Sequence, residues 1–557
     1  MCFADKKYAV FKNSFFWFFL LFALSSFVMF YQLGSRSLYN PDEGRYAQIA
    51  KEMVKSNNWI EPTLYGVDYH AKPVMFYWLT SLSYKIFGMN EFSSRFIPAF
   101  FGMLGILITF LFVKSVAGGR EAVFSSFLLM ANFWYVQVSR FMLIDAVFAF
   151  FIFACLYCFY TGYGSRSHKL LFYNLFYVIL AFSFLTKGFA CFILTSVPIF
   201  VYLFYKKSFR IGFKIHNHIW GISLFVFIVG IWLVNISVRE PEFLWNFIWH
   251  DHIERFLSKD YEHQRSFFFF FLLTPLFLLP ALFFIEPVID TFKNWKNGHK
   301  DLKVYCLICA GWVILFFSLS RTKLPTYILP AFPFLCIALG LAWSELTQKE
   351  PAEKVSLRLW KGGLVLILIV GISAIVAAVF FDHLFERKFP IENELIAAGL
   401  FVILFAVLGI IFLKKKNLSG IFCSFVIMMT LVYVPVNSAI DKVNLNYTTR
   451  PFAEKLNILL EREDKVYLYG SIGNFYDFQF YLNHPVYLVG LTGELEKVVD
   501  NDDKVYLITP EKFNNLLSSD EKFYILTRKK YYKDFDPIIK EHMKVVVENI
   551  DKVLLKK

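Results

Sequence analysis

The sequence predicts a polytopic α-helical membrane protein that ends in a small soluble α/β domain. Hydrophobic residues make up 57% of the 557 residues and charged residues only 18%, which is not the composition of a soluble protein. Apolar runs of about 18 or more residues recur along most of the chain, and a bilayer core of roughly 30 Å needs about 20 such residues per helix. Charged residues become frequent only from about Ile440 onward.

The apolar runs predict about thirteen membrane spans. The first follows Lys6, Lys7 and Lys12 and resembles a signal peptide, but it is too long for one and lacks a small-x-small cleavage site. We therefore expect it to be retained. The spans are predicted near residues 14–32, 94–113, 121–138, 143–161, 170–186, 188–205, 217–238, 266–286, 304–320, 326–345, 360–381, 395–413 and 419–437.

Basic residues cluster in alternate connections between these spans, which predicts the topology. The basic connections are residues 114–120, 166–169, 206–214, 293–303, 349–361 and 414–416. The positive-inside rule places them in the cytoplasm of a bacterial inner membrane, so the other connections and the C-terminus should face the periplasm. The formal charge of +13 then reflects membrane orientation, and we expect no nucleic-acid partner.

The change in composition near residue 440 predicts two domains. We assign residues 1–438 to a transmembrane domain with periplasmic loops 34–93 and 239–265, and residues 439–557 to the soluble α/β domain. Its helix should cover Pro451–Leu460, after a Thr-Thr-Arg-Pro start suited to a helix N-terminus. Its strands are predicted at residues 465–469, 486–489, 504–508, 523–526 and 544–547. Since it has no Gly-rich phosphate loop or nucleophile motif, we expect a supporting role for this domain.

Two cysteine pairs have the CxxC spacing of zinc and redox sites. They are Cys155/Cys158 and Cys306/Cys309, and both lie inside predicted spans. Cysteines at this spacing in an apolar helix behave as small hydrophobic residues, and no nearby His completes a ligand set. We therefore expect no metal or redox chemistry from them.

Acidic residues at the outer ends of spans are the first candidates for chemistry, because charges are costly at membrane depth. Asp42 and Glu43 are adjacent and are followed by Arg45, just outside the first span. The alternative is that Asp42 caps a helix and pairs with a nearby cation. Asp145 begins the fourth span in an apolar context, where it is either functional or a buried partner for Arg140.

Basic residues recur on the same outer side of the membrane. They are Lys72, Lys187, Arg255, Arg321 and Lys323. Several cations beside two acids suit a substrate that carries phosphates, because each cation can neutralise phosphate charge in a site shielded from water. The alternative for any one of them is snorkelling to lipid headgroups.

The second long outer loop contains a possible metal-binding pattern. His250 and His252 flank an acid in His-Asp-His-Ile-Glu-Arg. Two ligands do not make a site, so a polar surface helix is the alternative.

Six segments together resemble the bacterial lipid A 4-amino-4-deoxy-L-arabinose transferases, within the wider family that includes the protein O-mannosyltransferases. The resemblance covers the whole chain. It implies a GT-C type fold with a periplasmic C-terminal domain. It is most specific in Tyr39–Tyr46, Lys72-Pro73 with Tyr77-Trp78, Arg140–Asp145, Thr186–Gly188, His252–Phe256 and Ser318–Pro330.

The resemblance implies transfer of an aminosugar from undecaprenyl phosphate to a phosphate of lipid A. It implies catalytic roles for Asp42, Asp145 and Glu43, in orienting the acceptor or binding the donor's amino group, with Asp42 a general base if the acceptor is a hydroxyl. The substrate-binding residues that it implies are Arg45, Tyr46, Lys72, Tyr77, Arg140, Lys187, Arg255, Arg321, Lys323 and Tyr327. The expected partners are the lipid-linked donor, lipid A and membrane lipids, and we expect a monomer.

One position departs from the pattern of these transferases. Where they commonly read Glu-Lys-Pro-Pro, this chain has Ala71-Lys72-Pro73-Val74. That Glu resembles a metal ligand of the family, paired with the histidine that matches His252. Either His70 replaces it, in which case a divalent metal such as zinc binds, or the metal is absent. The sugar-facing wall should differ too, so another aminosugar such as galactosamine is an alternative.

Two other functions remain open from the sequence. A polyprenyl-dependent transferase that acts on protein hydroxyls or another glycan would use the same residues. A flippase for a polyprenyl-linked sugar would usually show internal repeats and interrupted midplane helices. The sequence shows no such repeat, and its polar residues gather at the outer ends of the spans instead of the midplane.

Overall fold

The computed structural model describes residues 13–165, 167–208, 218–249, 264–279, 281–284, 286, 289, 298–348, 357–385, 389–489, 507–519, 521–535 and 537–557. The chain divides into two compact units. The first, called the helical unit here, comprises Met1–Tyr31, Ala71–Phe76 and Pro98–Ala439. The second, the mixed unit, comprises Gln32–His70, Tyr77–Ile97 and Ile440–Lys557.

The helical unit consists mainly of long apolar helices. Its α-helices are Ser14–Phe30, Gly119–Met130, Phe133–Ser139, Ile144–Gly164, Lys169–Lys187, Ala190–Tyr205, Ile219–Arg239, Phe243–Ile248, Phe269–Phe277, Lys300–Leu319, Phe332–Gln348, Leu357–Phe385 and Glu392–Lys414, with 3-10 turns at Ala281–Phe283 and Pro325–Ala331. Three further helices carry the chain from one unit to the other: Met75–Phe87, Glu91–Val116 and Leu418–Asn444.

Within the described residues, nine helices are long and apolar enough to cross a membrane. The helices Ser14–Phe30 and Ala190–Tyr205 are apolar but shorter. Each of the thirteen predicted spans overlaps an apolar helix or helix pair, although only part of 266–286 is described. The predicted fold class is therefore confirmed.

The predicted span 121–138 is not one straight helix. It is broken after Met130 and bends by 62°. Asn132 causes the break, because its side-chain oxygen accepts the amide of Tyr135 at 2.8 Å and so starts a new helix, while its amide nitrogen donates to the Phe277 carbonyl at 3.0 Å. The second helix of the pair, Phe133–Ser139, leads directly into Arg140. The helix that contains Asp145 follows it in the chain and begins at Ile144.

The mixed unit is built on a six-stranded sheet. In chain order its strands are β3 Lys465–Tyr469, β4 Tyr487–Val489, β5 Leu507–Ile508, β6 Phe523–Arg528, β7 Lys544–Glu548 and β8 Lys552–Lys556, after a small hairpin of β1 Thr63–Leu64 and β2 Val67–Asp68. The sheet order is β5-β4-β3-β6-β8-β7, with β5, β4, β3 and β6 parallel and β8 antiparallel to both neighbours. Its core includes the fully buried Phe513, Phe523 and Leu555.

Short helices accompany the sheet, and one of them comes from far earlier in the chain. The helices of the mixed unit are Asp42–Ser56, Arg450–Leu459, Phe478–Tyr481, Pro510–Leu517, Lys529–Lys533 and Pro537–Glu541, with a 3-10 turn at Ile472–Asn474. Most of residues 34–93, assigned from sequence to a loop of the transmembrane domain, thus fold in the same unit as the C-terminal region.

The predicted C-terminal elements agree with the structure within two residues at described positions. The helix predicted at Pro451–Leu460 runs from Arg450 to Leu459, and strands occur at all five predicted places, although 504–506 lie outside the described residues. The strand β8 was missed. It follows β7 through a turn in which the Asn549 side chain accepts the amides of Asp551 and Lys552, at 3.0 and 2.7 Å.

Candidate active site

In the helical unit, Asp145 lies where three elements meet. It is the second residue of the helix Ile144–Gly164 and is only 7% exposed. Its carboxylate accepts a hydrogen bond from the ammonium of Lys187, the last residue of the helix Lys169–Lys187. Its other oxygen accepts the hydroxyl of Thr326, in the turn Pro325–Ala331, at 2.9 Å. A buried carboxylate is therefore paired with a half-buried cation.

Tyr327 extends this cluster. The Lys187 ammonium lies 4.3 Å from the centre of the Tyr327 ring and 5.4 Å from that of Phe148. Both distances suit cation–π attraction. Three residues predicted from sequence to act in the site, Asp145, Lys187 and Tyr327, are thus brought together, and Thr326 is an addition that the sequence did not suggest.

Arg140 has a different environment from the one expected. Its guanidinium donates to the carbonyls of Val28, Met29 and Tyr31, at the C-terminal end of the helix Ser14–Phe30. These carbonyls have no partner within their own helix, and a cation there also complements the helix dipole. The geometry favours a helix-capping role for Arg140, while the carboxylate contact that the structure shows for Asp145 is with Lys187.

Lys323 and Arg321 lie in the connection before the turn Pro325–Ala331. Lys323 is buried, and its ammonium donates to the carbonyls of Arg265, at 3.1 Å, and Ser320. Burial lowers the pKa of Lys323, since the charged form loses water. Arg321 is exposed. Lys323 thus links its own connection to the segment that contains Arg265. Contact with substrate stays a prediction for both Lys323 and Arg321.

Lys72 lies in the short part of the helical unit that precedes the helix Met75–Phe87. Its side chain is half-buried, and its ammonium donates to the Ala71 carbonyl at 2.8 Å. The side chain is thus curled onto its own backbone. Its role in phosphate binding stays a prediction.

In the mixed unit, Asp42 is the first residue of the helix Asp42–Ser56. Its side chain is 40% exposed and forms an ion pair with Arg45 one turn later. The guanidinium carbon of Arg45 lies 5.0 Å from the centre of the Tyr46 ring and 5.9 Å from that of Tyr476. Asp42 is not the capping residue, since that position is Pro41. A carboxylate in the first turn is nonetheless favoured by the helix dipole.

Tyr46 and Tyr77 form the wall behind this helix start. Both are buried, and their ring centres are 6.2 Å apart. The two tyrosines named from sequence for substrate binding therefore do contact each other. Contact with a substrate stays a prediction for both.

Glu43 is buried in an ion cluster, unlike its neighbour Asp42. Its two oxygens accept from the Arg95 guanidinium at 2.7 and 2.8 Å, and one also accepts from Arg36 at 3.3 Å. The other accepts the Tyr39 amide at 2.8 Å. Burial and the charge of Arg95 lower the pKa of Arg36 to about 10. These contacts favour a structural role for Glu43 over the catalytic role that the sequence suggested.

Arg95 was not recognised from the sequence. It is 1% exposed and also donates to the carbonyls of Leu33, Arg36 and Ser37, at 2.6 to 3.2 Å. A signal was present, because an arginine at the outer end of an apolar run must find partners when it is buried. Its partners could not be read from the sequence.

Some predicted site residues cannot be placed. His250, His252 and Arg255 lie outside the described residues. His70 is half-buried in the mixed unit. Among the residues that the structure describes, no three His, Cys, Asp or Glu side chains form a group that could hold a metal ion. Ala71 offers no ligand either, so the described residues do not fit a metal.

The two principal acids belong to different units, Asp42 to the mixed unit and Asp145 to the helical unit. Each is paired with a cation that the sequence also named. Their predicted arrangement around one shared hollow stays a prediction.

Comparison with known proteins gives this architecture a class. The family model described as dolichyl-phosphate-mannose-protein mannosyltransferase matches residues 14–245. The crystal structure of ArnT from Cupriavidus metallidurans bound to undecaprenyl phosphate superposes with a TM-score of 0.81, covering 97% of this chain and 98% of that one at 24% identity. The chain is thus a membrane-embedded glycosyltransferase of the GT-C type.

Sequence relatives narrow the class. A protein of Shewanella sediminis named undecaprenyl phosphate-alpha-4-amino-4-deoxy-L-arabinose arabinosyl transferase is 29% identical over 86% of this chain and 87% of its own length. A second, from Proteus mirabilis, is 25% identical over 88% of both chains. The chain is thus similar to the 4-amino-4-deoxy-L-arabinose transferases over most of its length, which confirms the resemblance drawn from its motifs.

Proposed function

We propose that this protein transfers an aminosugar, 4-amino-4-deoxy-L-arabinose or a close analogue, from undecaprenyl phosphate to a phosphate of lipid A. The names of the relatives that match over most of the chain support the donor and the sugar class. The observation that carries the proposal is the cluster of Asp145, Lys187 and Tyr327, in which a carboxylate, an ammonium and an aromatic ring predicted to act in the site meet at the ends of apolar helices, where ionisable residues mark candidate functional sites.

The reaction needs little from the protein besides electrostatics and positioning. An oxygen of the acceptor phosphate attacks the anomeric carbon of the sugar, and the bond from that carbon to undecaprenyl phosphate breaks, its electron pair leaving with the phosphate. The acceptor is already an anion, so no proton has to be removed from it. The main requirement is to stabilise negative charge on the leaving phosphate.

We assign that stabilisation to the cations named from sequence. In the helical unit Lys187 is the best placed of them, because its compact ammonium charge lies beside the Asp145 carboxylate and the Tyr327 ring, in the cluster of predicted site residues. Lys72, Lys323 and Arg255 are further candidates, as is Arg45 of the mixed unit. We expect them to bind the donor phosphate or the lipid A phosphates.

The acids take the complementary role. The amino group of the donor sugar is a cation at neutral pH, so a carboxylate can bind and orient it. Asp42 suits this role because its carboxylate is 40% exposed although Arg45 holds it. Asp145 would keep Lys187 in place.

A sequence difference beside Lys72 supports the alternative sugar substrate. Ala71 stands where the family commonly has Glu, which removes a charge and about four heavy atoms near Lys72. A larger aminosugar such as galactosamine would fit a wall widened in this way. Transfer assays with both donors distinguish the two sugars.

The test is transfer by the purified protein. With undecaprenyl-phosphate-linked aminoarabinose and lipid A in detergent, we expect mass spectrometry to find lipid A carrying one added aminosugar, and a deletion strain to lose that substituent. Modification of a protein or another glycan, with lipid A unchanged, would favour the other transferase function. Movement of labelled carrier across vesicles without sugar transfer would instead indicate a flippase.

We also propose that the site and the C-terminus face the periplasm, and that the protein is a monomer in the inner membrane. The alternation of basic connections supports this orientation. A tag at the C-terminus should be accessible to protease in spheroplasts with an intact inner membrane. Protection of the tag there would contradict the orientation.

A further inference from the structure

The helix that begins at Asp42 has no side-chain cap of its own. Its capping position is Pro41, which makes no side-chain hydrogen bond. Asn40, the residue before, points its amide instead at the segment Asn474–Tyr481, called the clamp segment here. The Asn40 side-chain nitrogen donates to the Asp477 carboxylate and to the Asn474 carbonyl at 3.1 Å, while its oxygen accepts the Asp477 amide at 3.0 Å.

Asp477 connects this helix start to a third stretch of chain. It is fully buried, and its second oxygen accepts the Thr449 amide at 2.9 Å and the Thr448 hydroxyl at 3.1 Å. Burial raises the pKa of Asp477, and hydrogen bonds from Thr449 and Asn40 oppose that effect. A carboxylate this deep is costly unless each oxygen is satisfied, and here both are.

Gly44 explains how the clamp segment comes so close to the helix. A methyl group added there would lie 2.6 Å from the Asn40 side-chain oxygen, 2.8 Å from the Tyr476 carbonyl carbon and closer still to the Asp477 amide nitrogen. Backbone atoms cannot move aside as a flexible side chain can. A glycine inside a helix costs about 1 kcal/mol relative to alanine. The close contact with the clamp segment therefore accounts for glycine at this position.

The contact continues along the same face of the helix. Lys51, two turns after Gly44, donates to the carbonyls of Gln479 and Phe480 at 2.8 and 2.6 Å. The clamp segment thus runs beside the helix from its start to its third turn. Tyr476 of the same segment lies within cation–π reach of Arg45, which forms the ion pair with Asp42.

We infer that the clamp segment positions Asp42 and Arg45 for transfer, with Asp477 and Gly44 as its positioning residues. The C-terminal region then contributes to the reaction although it supplies no group that touches substrate. This inference rests on the proposed function, because it assumes that Asp42 and Arg45 act in the transfer. A displacement of about 1 Å of such groups can cost about 100-fold in rate.

A charge swap tests Asp477. In Asp477→Asn the new side-chain nitrogen faces the Asn40 nitrogen, and in Asn40→Asp two carboxylates face each other. We expect each single variant of the full-length protein to lose about 10- to 100-fold in kcat per folded molecule. The double variant Asn40→Asp, Asp477→Asn restores a complementary pair between the two side chains but not the bond to the Asn474 carbonyl, so it should recover part of the lost kcat. Asp551→Asn, which changes an acid of the same unit on the β7–β8 turn, should stay close to wild type.

Gly44→Ala provides a second, independent test. The added methyl group should push the clamp segment away and lower kcat to a similar extent. Its matched control is Gly473→Ala, because a methyl group there meets its nearest neighbours, Pro41 and Ser471, only at 3.9 Å. The control should transfer sugar like wild type.

Hydrogen–deuterium exchange gives a readout that does not depend on the substrates. The amides of Glu43, Gly44 and Arg45 bond to the carbonyls of Tyr39 and Pro41. They should exchange faster in Asp477→Asn and return toward the wild-type rate in the double variant. If wild type transfers no aminosugar, the proposed function fails, and the exchange rates still decide whether the clamp segment holds the start of the Asp42 helix. Unchanged exchange, unchanged kcat in Asp477→Asn and Gly44→Ala, or a double variant without recovery would each overturn it.

Discussion

Two buried ion clusters, one in each unit, use the same charges in different ways. Glu43 of the mixed unit is surrounded by two arginines and a backbone amide, and Arg95 is further engaged by three carbonyls. Asp145 of the helical unit has a lysine and a threonine hydroxyl, and the lysine lies against an aromatic ring. In the first cluster, many of the hydrogen bonds join a side chain to the surrounding backbone. In the second cluster, the hydrogen bonds join side chains to each other.

The difference follows from the chemistry of the two cations. The planar guanidinium of arginine has five donors in a fixed fork, which suits a permanent bidentate contact. The ammonium of lysine is a compact charge on a flexible stem and can move between partners. Burial of an ion pair therefore does not identify a functional site by itself. What distinguishes the two clusters is whether a substrate group could replace one of the partners.

The largest expected effect belongs to Asp145→Asn. The amide cannot hold the Lys187 ammonium by charge, so the cation should leave the position from which it stabilises the leaving phosphate. We expect transfer to fall by about 100- to 1,000-fold, as when one preorganised electrostatic group is removed. The measurement is kcat/KM with the lipid-linked aminosugar.

The matched control for Asp145→Asn is Asp301→Asn. That acid also pairs with a lysine, Lys206, but the pair is half exposed. Exposed pairs contribute little, so this variant should keep its activity and stability. Full activity of Asp145→Asn would remove Asp145 from the site and with it the contrast between the clusters.

Asp42→Asn is expected to have the next largest effect. It should lower transfer by about 100-fold if the carboxylate orients the donor's amino group. The unfolding midpoint should change little, because the pair with Arg45 is partly exposed. Glu43→Gln, at the adjacent position, should instead lower the unfolding midpoint and change transfer little. Equal losses of stability in both variants would show that the two acids share one structural role.

Arg95→Met tests the structural cluster directly. It leaves the Glu43 carboxylate buried with weaker partners, so we expect the free energy of unfolding to fall by about 3 to 5 kcal/mol. The double variant Glu43→Gln, Arg95→Met should be less destabilised than Arg95→Met alone, since no buried charge remains at residue 43. Thermal unfolding in detergent measures both. A double variant that is the less stable of the two would indicate that the charges themselves stabilise the fold.

The sequence predicts most of what depends on local pattern. Apolar runs predict the spans, and short alternating runs predict five of the six strands of the C-terminal sheet within two residues at described positions. The grouping of Asp145, Lys187 and Tyr327 was also predictable in outline, because all three lie at the predicted outer ends of spans. The broken span at Asn132 had a visible signal, a polar capping residue inside an apolar run.

Contacts between distant parts of the chain were beyond the sequence. Glu43 and Arg95 are 52 residues apart, and Asn40 and Asp477 are 437 apart. Periodicity indicates which face of a helix is buried but not which distant segment covers it. For the same reason Arg140 was matched with the nearby Asp145, whereas its hydrogen bonds go to the end of the first helix.

Lys51 provides a smaller, pH-dependent test of the structural contacts. Its ammonium is buried against two carbonyls, and burial lowers its pKa to about 8 from an ordinary value near 10.5. The unfolded chain therefore keeps this proton at pH values where the folded chain has lost it. Stability should rise between about pH 8 and 10.5, by roughly 3 kcal/mol at most. Below pH 8 the cost of burying the charge is fully present.

The variant Lys51→Met isolates this effect. It removes the titrating group, so the unfolding free energy of wild type should rise relative to that of the variant as pH increases from 8 to 10.5. Unfolding midpoints in detergent across that range measure the difference. A difference that is independent of pH would show that Lys51 keeps its ordinary pKa in the folded protein.

The smallest effect is expected for Cys155→Ala, which separates burial from function in the helical unit. Cys155 is fully buried, and the hydrogen bond that the structure shows for its thiol goes to a backbone carbonyl, that of Phe176, at 3.6 Å. The substitution removes one sulfur atom from a packed helix, so we expect a loss of about 1 kcal/mol in stability and wild-type transfer. Thermal unfolding and kcat measure the two effects. A large loss of transfer in a stable Cys155→Ala protein would show that the CxxC pair takes part in the reaction, because a thiol that only fills space can be removed without changing the chemistry.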